Sequence, residues 1–213
     1  MDGTVPEVTL EALAARLLAA PPGQRLVVGI AGPPGSGKST TAERLVAALD
    51  AARPGAAVLV PMDGFHYDDA VLRELGRHAR KGAPDTFDVG GLRSVLERLR
   101  ARDEEWVAVP VFDRARELSL GSARLVRREA DLIVTEGNYL LLNRDPWAGL
   151  RRLFDLRVLI EVPEAVLRAR LEARWRGYGL TPEAIRAKVE GNDLPNGRVV
   201  MQESLGADLI LRT

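Results

Sequence analysis

The segment Gly32-Pro33-Pro34-Gly35-Ser36-Gly37-Lys38-Ser39, followed by Thr40, fits the spacing G-x-x-x-x-G-K-[ST]. Glycines at these positions let consecutive backbone N–H groups turn inward on an anion. The lysine then reaches the β and γ phosphates of a nucleotide, and the hydroxyl that follows can hold Mg²⁺. A helix starting there adds the positive end of its dipole. Gly32, Gly35, Ser36, Gly37, Lys38, Ser39 and Thr40 are therefore the expected triphosphate-binding set, and ATP with Mg²⁺ the expected cofactors. A chance Gly-Lys-Ser turn is the bland alternative, but this turn sits between an apolar run and a stretch of good helix formers.

Phosphoryl transfer to a hydroxyl needs a carboxylate that orients or deprotonates the acceptor, and a group on the metal, because the chemistry is mostly positioning and charge stabilisation. Asp63 and Glu136 each end a buried apolar run and form the obvious pair. Asp63 opens a long insertion that would carry the acceptor, so it is the expected base; Glu136 is expected at Mg²⁺, directly or through water, beside Ser39. The plain alternatives are an Asx turn for Asp63 and a solvated loop acid for Glu136. Arg170 and Arg174 lie four apart on one helix face and repel unless an anion lies between or opposite them. A γ-phosphate is one such anion, and Glu164 or Glu172 are the alternatives. His66 and Tyr67 follow Asp63 closely enough to line the same cleft, whereas Trp106, Trp147 and Trp175 read as packing residues.

These residues need elements to hold them. Thr9 can cap a helix in which Leu10, Leu13, Ala14, Leu17 and Leu18 recur at helical spacing. Apolar runs at 26–31, 57–62, 131–135, 156–162 and 208–211 read as five buried parallel strands, with helices at 39–50 and 164–176. The expected fold class is α/β, a three-layer sandwich on a five-stranded parallel core sheet, within one domain spanning 1–213. In such a sheet the ligands lie beyond the carboxyl ends of the strands, which is where Asp63 and Glu136 arrive. The insertion at about 65–129, with a helix through Leu92, Val95, Leu96 and Leu99 and a strand at 107–111, is the expected acceptor lobe. The segment 164–198, jointed at Gly177-Tyr178-Gly179 and restarting at Thr181-Pro182-Glu183, is the expected helical lid.

Composition narrows the partners. Acidic and basic residues balance at 30 each with a pI near 6.8, which argues against nucleic acid or an anionic membrane as partner. Only three basic residues are lysines, Lys38, Lys81 and Lys188, which makes each of them informative. No cysteine is present, so disulfides and thiolate metal sites are excluded. Met1–Thr9 lacks the pattern of a secretion signal and the apolar runs are too short to span a bilayer, so the expected location is cytoplasmic. The expected partner is a small hydroxyl-bearing metabolite, and a second copy of the chain, as a homodimer, is the oligomeric alternative to a monomer.

Six ordered blocks resemble the superfamily of uridine kinases, phosphoribulokinases and bacterial pantothenate kinases: GPPGSGKST, MDGFHYDD from Met62, KGAPDTFD from Lys81, PVFDR from Pro110, VTEGNYLLL from Val134, and NDLPN from Asn192. More narrowly, the chain is similar to bacterial nucleoside or nucleotide kinase-like proteins that carry the label fructose transport system kinase. The resemblance implies Asp63 as catalytic base, Lys38 and Ser39 on phosphates and metal, Glu136 near Mg²⁺, and Arg170 or Arg174 in a lid. It also implies that Asn192, Pro195 and Asn196 border the adenine. From the same blocks His66, Tyr67, Lys81, Asp85, Phe112, Asp113, Arg114 and Tyr139 are the expected substrate side.

Two departures bear on the acceptor. Uridine kinases grip the ribose with an Asp in a Phe-Asp-His stretch, where this chain has Lys81-Gly82-Ala83. Pantothenate kinases place Ser-His where this chain has Asp113-Arg114. An Arg114 facing the pocket would suit a carboxylate or phosphate, so the expected acceptor is a sugar or sugar derivative with acidic character. Nucleoside or pantothenate phosphorylation and an acceptor-free regulatory ATPase are the alternatives. Asp88-Val89-Gly90-Gly91 fits the loose D-x-x-G pattern of GTPases, but no Asn-Lys-x-Asp guanine reader accompanies it.

Overall fold

The computed structural model describes residues 5–213, so the reading of Met1–Thr9 falls partly outside the described residues. Along the chain the elements are α1 (Leu10–Leu18), β1 (Leu26–Ala31), α2 (Lys38–Ala52), β2 (Ala57–Pro61), α3 (Asp69–Glu74), α4 (Val89–Ala101), β3 (Trp106–Asp113), β4 (Leu118–Arg127), β5 (Leu132–Gly137), β6 (Leu156–Glu161), α5 (Glu164–Gly177), α6 (Pro182–Lys188), α7 (Leu194–Glu203) and β7 (Leu209–Arg212). The five mostly apolar runs form one parallel sheet in the order β2-β5-β1-β6-β7. Strands apolar on both faces must be covered on both, and they are. On one face α1 and α2 bury Leu13, Leu17, Leu45 and Leu49 completely, each contributing about 2 kcal/mol by area. On the other, α4 and the segment after β5 supply Leu92, Leu96, Leu140 and Trp147.

The parallel arrangement sends every strand's carboxyl end to one edge. Leu26–Ala31 of β1 runs beside Leu132–Gly137 of β5, so Ala31, where the phosphate-loop segment begins, stands opposite Gly137. Glu136 is flanked by Ile30 on one side and Pro61 on the other. It therefore belongs to the interior strand β5 itself, whereas the sequence puts it in the following loop. Asp63 leaves β2 in a single 3₁₀ turn, Met62–Phe65. That turn presses against β3: a β-carbon on Gly64 would overlap the Pro110 carbonyl, so only glycine fits there.

Inside the insertion the expected strand near 107–111 extends to Trp106–Asp113 and pairs antiparallel with β4. The second strand is not expected from the sequence, because Gly121, Ser122 and Ala123 interrupt its alternation and most of its residues are exposed or half-buried. The expected turn at Asn192–Asn196 is helical. A π-helical turn, Val189–Asp193, joins α6 to α7, and Pro195 sits in the first turn of α7, where a missing N–H costs nothing.

Candidate functional site

Between β1 and α2 the chain makes the tight reversal that the glycines permit. Gly35 and Gly37 adopt φ of 80° and 84°, the left-handed region that a β-carbon disfavours, and Gly37 is the N-cap of α2. Lys38 and Ser39 are the first residues of that helix, so the dipole end and the hydroxyl point the same way. Ser36 is completely buried and its Oγ has no hydrogen-bond partner, a donor left waiting at the centre of the loop. Thr213 Oγ1 donates to the Ser36 carbonyl at 2.9 Å, tying β7 to the loop from behind.

In front of the loop lies a cleft of about 180 Å³ lined by Lys38, Ser39, Asp63 and His66. Lys81, Phe112, Arg114, Arg174, Asn192 and Asn196 complete much of its wall. Burial pulls the Lys38 ammonium pKa down, and the nearby Glu136 and Asp63 carboxylates oppose that pull. Glu136 is 3% exposed; burial pushes its pKa up to about 7, with Asp63 adding to the rise while Lys38 and the Ser39 hydroxyl resist it. A cation at Glu136 and Ser39 would remove that penalty. Mg²⁺ takes few protein ligands and completes its shell with phosphate and water, so these two oxygens fit it although the described residues contain no cluster of three metal-ligating side chains.

Asp63 behaves oppositely. Burial works against its charge, but His66, Lys38 and Arg114 outweigh burial and hold its carboxyl below the usual range. The Arg114 guanidinium donates to Asp63 Oδ2 at 2.6 Å. His66 lies between Phe87 and Phe112, with ring centroids at 4.0 and 4.8 Å, and its pKa is lowered chiefly by burial. Its Nδ1 is 2.8 Å from the Asp63 carbonyl oxygen, which can only accept, so the neutral ring carries its proton there and turns an acceptor nitrogen outward.

Other expected residues are placed elsewhere. Tyr67 faces a separate depression along Asp68 and Asp88. Asp85 pairs with Arg77 and Arg80 on the far side of its turn. Asp113 Oδ1 accepts from the backbone N–H groups of Ala115 and Arg116, which shapes the hairpin tip that carries Arg114. Tyr139 is fully buried, and its hydroxyl donates to the Gly82 carbonyl at 2.5 Å, while Trp147 Nε1–H donates to the Pro84 carbonyl at 3.1 Å. These two bonds pin the segment that presents Lys81. Asp85, Asp113 and Tyr139, expected on the substrate side, spend polar atoms on these structural bonds, and Tyr67 lines the separate depression. Thr40 is exposed on the outer face of α2 and Pro195 lies outside the cleft wall.

Asn192 and Asn196, expected at the adenine, line the cleft that holds Asp63 and Lys81; Asn192 Nδ2 donates to the Lys81 carbonyl at 3.2 Å. A separate groove of about 580 Å³ runs behind the loop along Thr41, Arg44 and Thr213. Of the two arginines expected in a lid, Arg174 lines the cleft and its side chain makes no hydrogen bond or ion pair among the described residues, whereas Arg170 leans on the Ser36 carbonyl at 3.4 Å. Asn138 and Trp175 are among the cleft residues not expected there from sequence. Asn138 lies in the block VTEGNYLLL and its Oδ1 is buried without a partner. Trp175, read as a packing residue, donates Nε1–H to Asp193 at 2.7 Å under the Lys188 ammonium, 4.6 Å from its ring centroid, and forms part of the wall.

Residues 27–191 match a family described as an AAA domain, AAA_33. "Putative uridine kinase C227.14" of Schizosaccharomyces pombe is 34% identical over 89% of this chain and 83% of its own length. The pantothenate kinase of Sorangium cellulosum is 37% identical over 70% of this chain, which spans half of that protein. A solved structure of a "putative fructose transport system kinase" from Silicibacter sp. TM1040 is 42% identical, covers 95% of this chain and 98% of its own, and superimposes with a TM-score of 0.88. With the phosphate loop, the facing carboxylates and the parallel sheet already in place, the match over most of the chain decides the matter: it belongs to the AAA_33 family of P-loop kinase domains.

Proposed function

We propose that the chain is an ATP-dependent kinase that transfers the γ-phosphoryl group to a hydroxyl of a small metabolite, a sugar or sugar derivative. The observation that carries this reading is that Asp63, Lys38 and Ser39 line one cleft. A carboxylate held ionised beside a phosphate-binding ammonium is placed to aim an alcohol at a phosphoryl group.

In this reading the triphosphate lies on the amides of Gly35 to Ser39, and Lys38 spans its β and γ phosphates. Ser39 and Glu136 hold Mg²⁺, which neutralises charge on the phosphates when bound. Asp63 accepts the acceptor's hydroxyl proton, and Arg174, free of other partners among the described residues, meets the γ-phosphate. Arg170 steadies the loop through the Ser36 carbonyl. The base and ribose occupy the groove beside Thr41, Arg44 and Thr213, and Asn138, Asn192 and Asn196 offer amide groups to the acceptor's remaining hydroxyls. The enclosing helices α5 and α6 limit water at the transferring group.

The test is a coupled ATP-consumption screen of sugars, sugar phosphates, sugar acids, nucleosides and pantothenate. Acceptor-dependent ADP release that vanishes in Asp63→Asn supports the kinase. ATP turnover that no acceptor increases would show an acceptor-free ATPase instead.

A further inference from the structure

Arg114 stands at the tip of the β3–β4 hairpin, its side chain 54% exposed, and holds Asp63 through a single contact, Nη2 to Oδ2 at 2.6 Å. That contact occupies an oxygen of the very group assigned to receive the acceptor's proton. A guanidinium carries five N–H donors in a planar fork, and the other four find no partner among the described residues. The neighbouring cation is not free in this way. Lys81 donates 2.7 Å to Asp69 Oδ1 and 2.6 Å to the Glu117 carbonyl, so its charge is balanced within the protein.

The Arg114 tip is built to be held while its side chain changes partner. Asp113 Oδ1 fixes the turn through the Ala115 and Arg116 amides, and the Arg114 guanidinium carbon lies 5.9 Å from the Phe112 ring centroid, over an apolar floor. A one-point pair at a half-exposed site is weak and exchanges readily. An acceptor bearing a carboxylate or phosphate presents two oxygens to the fork, a bidentate match that a single Asp63 oxygen does not give.

We propose that Arg114 is a two-position specificity residue: in the empty cleft it caps the base Asp63, and a negatively charged group on the acceptor draws it away, seating the acceptor and freeing the base together. A neutral acceptor leaves Arg114 on Asp63 and meets a base whose oxygen is occupied. This rests on the kinase reading and assigns its acceptor to the anionic class, a sugar acid or sugar phosphate.

The experiment measures steady-state phosphorylation by the full chain with MgATP on matched pairs: glycerol against glycerate and glycerol 3-phosphate, and a neutral hexose against its aldonic acid and its 6-phosphate. The expected result is a preference of about 100-fold or more in kcat/KM for an anionic member. Arg114→Ala should raise the KM of that member about 10- to 100-fold and compress the preference, while Arg114→Lys, which keeps the charge and loses the fork, falls between. Equal use of neutral and anionic members by the wild type, or a preference unaltered in Arg114→Ala, overturns the anionic assignment and leaves the kinase reading standing. MgATP binding without phosphorylation of any member overturns both.

Discussion

The two walls of the cleft are built in different ways. The phosphate wall comes from one contiguous stretch, Gly32–Ser39, and works mainly through backbone amides and a helix end. The wall proposed to hold the acceptor is assembled from separated pieces: the turn at Asp63, the segment at Lys81, the hairpin at Phe112 and Arg114, Asn138 after β5, and the π turn at Asn192. A backbone cradle recognises a group common to every nucleotide, whereas the side chains of the assembled wall can be exchanged one at a time without disturbing the sheet. The first wall therefore announces its chemistry, and the second decides what is bound.

Single substitutions should separate the two walls. The largest effect is expected for Lys38→Ala, which removes the ammonium proposed to meet the phosphates. Phosphorylation should fall by about a thousandfold or more, and MgATP affinity should fall with it in calorimetric titration. Asp63→Asn should lower kcat by about 10²–10⁴ while the MgATP dissociation constant stays within a few-fold, since the Asp63 carboxylate hydrogen-bonds Arg114 and not the phosphate loop. Equal losses of nucleotide affinity in both variants would dissolve the distinction.

A third test uses pH without any ligand. Glu136, pushed by burial up to about 7 from the ordinary 4.5 of an exposed glutamate, holds a proton in the native state between those values that the unfolded chain has released. Metal-free wild type should therefore lose stability as pH rises from about 4.5 to 7, by up to about 3 kcal/mol. Glu136→Gln should flatten that slope and be the more stable form at pH 7.5, as read by urea denaturation. The smallest effect is expected from Tyr139→Phe, which deletes the hydrogen bond to the Gly82 carbonyl. It should cost about 1–2 kcal/mol and raise the acceptor KM several-fold, leaving MgATP affinity intact because the pinned segment belongs to the acceptor wall alone.

The same contrast explains what could be read from the chain. The runs of β1, β2, β5, β6 and β7 are mostly apolar because the sheet is covered on both faces, and runs of that kind declare themselves. Strand β4 does not, since a two-stranded hairpin leaves most of its residues in water and imposes little pattern. Asp63 and Glu136 stand where strand ends bring them, so position along the sequence is enough to pair them. Asp85 and Asp113 have the right residue type for a site, but a carboxylate in a turn is as easily satisfied by a local arginine or two backbone amides, and here it is. Asn138 and Trp175 reach the cleft only through tertiary packing, and no local spacing signals that.

The indole of Trp175 has a further consequence. It lies against the cleft with a carboxylate at its nitrogen and an ammonium over its face. Trp147 is sealed in the core and Trp106 lies on the hairpin, so one of the three tryptophans lines this wall. Any shift of the helices that moves Asp193 or Lys188 alters the field on that ring, and the protein's own fluorescence carries a record of how the wall responds when the cleft fills.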